Sequence, residues 1–331
     1  MPKVRRRCTI FVRGSRIFRS LERNSPSCNE PEDAGGGENE LISTKAAIWL
    51  LVLIAAVVAA IAILLPPVPQ PQWYHMFADQ RSFLGIPNFN DVVSNFPFAA
   101  VGLWGLVFLL RANGRRDGRH FLDPRERWPH LGVFVGLILT AIGSSYYHLQ
   151  PGNARLAWDR LPMVIVFMSL LAAIVAERMS VRAGLWLMPL LLFIGVGSVW
   201  HWRVSELRGA GDLRFYAAVQ VYSVLFLLIA LLFPSRYTRG RDLAIVAGLY
   251  VLAKILEALD RPIFELGHIV SGHTLKHLAA AGAGYWILRM LRKRQPIEAI
   301  PWGQPRSGAE VRQREFAARN PESYRPLPRR H

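Results

Sequence analysis

Apolar residues in this chain come in long blocks. From Ala46 to Leu65, AAIWLLVLIAAVVAAIAILL runs twenty residues without a charge, the length an α-helix needs to cross a hydrocarbon core of about 30 Å. Seven further blocks of similar length follow near 92–111, 130–149, 160–176, 183–202, 214–233, 243–260 and 272–291, each bounded by charge, Pro or Gly clusters. The pattern predicts eight membrane-spanning helices. The first block lies too far from the start, and lacks the small-residue cleavage site, to read as a signal peptide. No repeat at a period of roughly 20 to 50 residues is evident, which argues against a solenoid.

Charge adds an orientation. The chain has 40 Lys and Arg against 23 Asp and Glu, a formal net charge of +17. A nucleic-acid surface needs such charge gathered on one soluble face. Here it falls in alternate loops: RANGRRDGRHFLDPRERW after the second block, ERMSVR after the fourth, SRYTRGRD after the sixth and RMLRKRQ after the eighth. The intervening EALDRPIFELGH is net acidic. The positive-inside rule then places the basic loops and both termini in the cytoplasm. The basic excess reads as topology, and no nucleic-acid partner is expected. Residues 1–45 and 295–331 read as disordered cytoplasmic tails. Cys8 and Cys28 lie in the first of them, on the reducing side, so no disulfide framework is expected.

Ionisable residues inside a bilayer are costly and usually pair, ligate or line a water-filled site. Ser144 and His148 close the third span in SSYYHLQP, and Asp159 opens the fourth in WDRLPM, so all three fall at the extracytoplasmic face. The eighth span opens at that face with GHTLKH, placing His273 and His277 four residues apart on one helical side. His148 adds a third imidazole from another helix. Three His ligands with an open fourth position describe a catalytic zinc, which lowers the pKa of its bound water to about 7. In that reading Asp159 holds or deprotonates the water and Ser144 donates to an oxyanion. Each residue also has a plainer reading alone: an interfacial His, an Asp159–Arg160 ion pair, a packing Ser. Five residues from three helices meeting at one membrane face favour the joint reading.

The spacing of Ser144, His148, Asp159, His273 and His277, together with NFNDVVSNFPF, resembles the alkaline ceramidases, members of a group of seven-span membrane hydrolases that includes the adiponectin receptors and GPI-lipid-remodelling enzymes. The resemblance covers roughly Asp79 to Arg294. It implies an all-α integral membrane fold, a seven-helix transmembrane bundle over 79–294, with the helix at 46–65 as an N-terminal addition. It further implies zinc on His148, His273 and His277, with Ser144 and Asp159 beside it, and cleavage of the amide of ceramide or a related membrane lipid to release a fatty acid. The family's calcium-binding stretch, Asp-Trp-x-Glu-x-Asn, keeps Asp79 here but has Gln80 and Ser82 in place of Trp and Glu, which weakens the case for calcium. The expected setting is a bacterial inner (plasma) membrane, with the site near the extracytoplasmic face.

Other polar residues invite structural readings: His201 in VWHW as an interfacial anchor, Lys254, Glu257 and Asp260 as an ion-pair group, and His268 as a competing ligand off the helical face of His273. The competing functions are a lipid esterase or phospholipase with the same chemistry, and a non-enzymatic receptor or transporter. Paired broken helices and inverted repeats, the marks of a carrier, are not evident, and no Cys lies in the spans to complete a structural zinc site.

Overall fold

A computed structural model describes residues 44–112 and 120–297, and every regular element among the described residues is helical. Among the described residues, helices overlie the apolar blocks: α1 (Thr44–Leu64), α3 (Phe96–Ala112), α4 (Arg127–Leu149), α5 (Asn153–Arg178), α6 (Val181–Leu207), α7 (Arg214–Ala230), α8 (Asp242–Ala258) and α10 (Gly272–Lys293). Two short helices join them, α2 (Phe89–Val93) leading into α3, and α9 (Asp260–Glu265) between α8 and α10. Four segments are long and apolar enough to cross a membrane: Phe89–Ala112, Pro124–Leu149, Asn153–Arg178 and Val181–Leu207. α1 and α7 are apolar but shorter. Large apolar side chains stand exposed along several helices, Trp49 and Leu53 on α1, Leu110 on α3, Phe193 and Trp200 on α6, as a bilayer requires and water does not tolerate in such number.

Two boundaries differ from expectation. α5 begins at Asn153 and not near 160, so Asp159 sits within the helix. The tail expected to be disordered from 295 is paired at its start, with Thr238 N–H donating to the Gln295 carbonyl (2.9 Å) and Ile297 N–H to that of Arg236 (3.0 Å). The rest of that tail, and the tail expected over 1–45 up to Thr44, lie outside the described residues.

The helices close a ring. α3 packs on α4, α4 on α5, α5 on α7, α7 on α8, α8 on α10, and α10 back on α3, with the α7–α8 seam the loosest. The ring surrounds a cavity of about 330 Å³, lined by residues from all six of these helices and by none from α1 or α6. α6 packs against α5 and α7 from outside, and α1 against α7.

At the end of the ring formed by the start of α4 and the ends of α5 and α10, charges are buried together. Arg294 is 1% exposed and donates to Glu177 Oε2 (2.5 Å) and to the His120 carbonyl (2.9 Å). Its guanidinium lies over the Tyr237 and Phe121 rings, 4.0 and 4.8 Å from their centroids. Tyr237 donates in turn to Glu126. Arg178 donates to the carbonyls of Ala230 (2.9 Å), Phe233 (2.6 Å) and Gly240 (2.7 Å), fastening the α7–α8 connection to α5.

Candidate metal centre

His148, on the last turn of α4, and His273 and His277, on the first turns of α10, converge at the opposite end of the ring. Their ring centroids form a near-equilateral triangle with sides of 4.9, 5.0 and 4.9 Å. One nitrogen from each lies within 4.8 Å of the others, and His148 Nε2 is 3.3 Å from His273 Nε2. Two nitrogens on a tetrahedral ion with bonds of about 2.0–2.1 Å stand about 3.3 Å apart. All three residues are buried, and among the described residues no other His, Cys, Asp or Glu joins the group. Three uncharged bases turned toward one buried point fit a divalent metal ion.

Local sequence explains the convergence. Ser271 caps α10, its hydroxyl accepting from Thr274 N–H (3.1 Å). Gly272 lets that cap lie against α8 and α9: a Cβ there would meet the Leu256 carbonyl and Asp260 Cα. Asp260 accepts from the His273 N–H (2.8 Å) and, through its other oxygen, from the Ala78 N–H (2.9 Å). His277 Nδ1 is 2.7 Å from Ser94 Oγ, and that hydroxyl donates to the Asp91 carbonyl (3.1 Å). The network assigns the proton to His277 Nδ1 and leaves Nε2 as the free base, the usual device for orienting a metal-binding imidazole. Thr274 Oγ1 donates to Asp91 Oδ1 (2.7 Å), so α2 holds the α10 pair from the side.

Ser144 and Asp159 line the central cavity together with His277, and the Ser144 hydroxyl lies close to the Asp159 carboxylate. Two residues bring them together. Pro162 lacks an N–H, so the Trp158 carbonyl one turn earlier in α5 loses its helical donor. Gly143 packs on that same carbonyl, where a Cβ would collide with it. The helices meet at this contact, immediately beside Ser144 on one and Asp159 on the other. On the far side, Phe77 covers the centre: its ring lies 4.7 Å from that of His148 and 4.4 Å from that of His273, and it is 4% exposed.

The remaining candidates fall elsewhere. His201 pairs with Asp212 (3.2 Å) and meets the Phe215 ring edge to face. Asp212 lies between helices, and Arg214 hydrogen bonds outweigh its partial burial to hold its carboxyl well below the usual range. His268 meets the Phe264 ring edge to face, apart from the trio. Lys254 and Glu257 do pair, whereas Asp260 caps α10 instead of joining them. Arg160 turns from Asp159 to Gln70 Oε1 (2.6 Å) and the Trp202 and Tyr216 rings. Asp79 is bound by Arg81 at both oxygens (2.7 Å each) and by Asn90 (2.8 Å), and these bonds outweigh its burial to keep the carboxyl below its ordinary range. Ser94, Asp91 and Thr274 were not singled out by the sequence, although Asp91, Ser94 and Asn95 stand out as polar positions at the start of an apolar span.

Comparisons with protein-family models, curated proteins and solved structures return no match.

Proposed function

We propose that this chain is an integral-membrane, zinc-dependent hydrolase that cleaves the amide of ceramide or a related lipid amide. The observation that carries the reading is the juxtaposition of three buried, converging imidazoles with Ser144 and Asp159 at the wall of one largely apolar cavity. The trio's closure at three suits an ion with a position left for reactants better than a sealed structural site. In this reading α3 to α8 and α10 are the seven-span unit, α1 is the addition, and the centre faces the extracytoplasmic side. The loose α7–α8 seam gives a lipid a lateral path to the cavity.

His148, His273 and His277 hold the metal, which when bound supplies Lewis acidity to the reacting groups. Asp159 takes the proton of the attacking water on a carboxylate oxygen and returns it to the departing amine nitrogen. Ser144 orients Asp159 in the resting site. Once Asp159 is protonated it no longer needs that donor, and the Ser144 hydroxyl turns to the oxyanion formed from the amide carbonyl. The apolar wall takes the acyl chain, and Gly143 and Pro162 set the spacing between the two polar groups.

The test is lipid mass spectrometry after incubating the purified, zinc-loaded protein with ceramides, other lipid amides and matched esters. Fatty acid released from an amide is the expected result. Release from esters alone would move the assignment to an esterase, and release from neither would end the hydrolase reading.

A further inference from the structure

We propose that the amide cleaved at this site carries an anionic group on its amine half, in the manner of an N-acyl amino acid, and that Lys276 receives it. This rests on the hydrolase reading and specifies its substrate. Lys276 immediately precedes His277 on α10 and lines the cavity, its side chain 17% exposed. Its ammonium is 3.1 Å from Glu257 Oε1. The other oxygen of Glu257 is taken by Lys254, and Oε1 also accepts from the Tyr74 hydroxyl (3.3 Å). One carboxylate therefore serves two ammonium groups and a phenol.

The charged side chains lining the cavity are Arg160, Lys254, Lys276, Asp159 and Glu257, three cations against two carboxylates, a surplus of +1 before any metal is counted. Arg160 is committed to Gln70 and to aromatic rings. Asp159 lies beside the Ser144 hydroxyl. The surplus is thus carried by the Lys254–Glu257–Lys276 group, of which Lys254 is half exposed and Lys276 faces the cavity, in a wall that is otherwise mostly apolar. A neutral ceramide leaves it unanswered, whereas an anion in the cavity gains from an ammonium in surroundings of low dielectric. The position of Lys276 beside a metal-binding residue sets how far that anion lies from the reacting bond. An α-amino acid joined through its nitrogen places a carboxylate one carbon from the scissile amide, whereas a group at the far end of an acyl chain would lie deep in the apolar wall.

The experiment uses the full-length, zinc-loaded protein in detergent and measures competition of N-dodecanoylglycine, its uncharged methyl ester and free dodecanoate against a fluorescent fatty-acid probe, followed by hydrolysis of the first two. N-Dodecanoylglycine is expected to bind about tenfold or more tightly than its ester, as a charge-assisted hydrogen bond implies. Lys276→Met should reduce that preference to near unity with zinc retained. Glu257→Gln, which releases Lys276 from its partner, should widen it, and this second variant decides the matter if the first does not fold. Equal binding of acid and ester by the parent protein would overturn the proposal. So would free dodecanoate competing as well as the acylglycine, because the anion site would then serve the acyl product. Preferential binding of the acylglycine without cleavage of any amide would remove the hydrolase reading and leave the anion site standing. Cleavage of amides with no preference for the acid would do the reverse.

Discussion

Arg294, Glu177 and Glu126 at one end of the ring, and His148, His273 and His277 at the other, are all buried, and they are buried on different terms. Arg294 has Glu177 at 2.5 Å, Glu126 at 4.0 Å and an aromatic ring at 4.0 Å, so its charge is answered from within the chain. The histidines have only one another across the centre of their triangle, and His148 Nδ1 has no hydrogen-bond partner. Burying polar groups without partners costs free energy. The Arg294 group meets most of that cost with protein contacts, leaving one guanidinium nitrogen and Glu126 Oε1 without a hydrogen bond, and acts as a fastening between α4, α5, α10 and the α7–α8 connection. In the histidine group Ser94 holds His277 from outside, while the nitrogens of His148 and His273 that face each other have no partner beyond the trio, the arrangement a site for an added ion would present.

If the contrast holds, His273→Ala and His277→Ala have the largest effect: a zinc content of about one per chain in the parent and near zero in each variant, by elemental analysis after chelator-free purification, with hydrolysis abolished. Full occupancy in both would show that the metal is held elsewhere and that these histidines are not its ligands. Asp159→Asn comes next. It keeps the shape and removes the proton acceptor, so zinc should stay while turnover drops about 10² to 10⁴-fold. A variant as fast as the parent would reduce Asp159 to a partner of Ser144. Arg294→Met sharpens the comparison from the other end: it strands Glu177 without its partner, and breaking a buried pair costs about 3–5 kcal/mol. A lower thermal transition with unchanged zinc per folded chain is expected, and loss of zinc in proportion would mean that the two ends are one cooperative unit.

The helices and the histidine trio were legible in the sequence because both are local or periodic signals. Uninterrupted apolar length gives a spanning helix, and the spacing of His273 and His277 puts both on one side of α10. The ring was not legible. In water the apolar face of a helix marks the inside, but lipid is as apolar as a protein core, so the pattern does not reveal that α6 lies outside the cavity and α7 on it. The contact between Gly143 and the Trp158 carbonyl was hidden for another reason. Gly143 and Pro162 are ordinary small and helix-bending residues in a membrane span, and only the pairing of one helix with the next shows that the first packs on the carbonyl freed by the second. The same holds for Ser94, far in sequence from the His277 it orients.

Phe77 separates two properties of the metal centre that are often measured together. The histidines lie on helices and Ser94 caps α2, and in the proposed site they would govern how tightly an ion is held, whereas the ring across His148 and His273 belongs to the segment between α1 and α2. Exchange of an ion bound there with the surrounding water would wait for that ring to move, so occupancy would be retained kinetically for longer than affinity alone dictates. Phe77→Ala should therefore surrender zinc to a chelator faster than the parent while reaching nearly the same final occupancy, and equal rates would show that the ion leaves through the cavity instead.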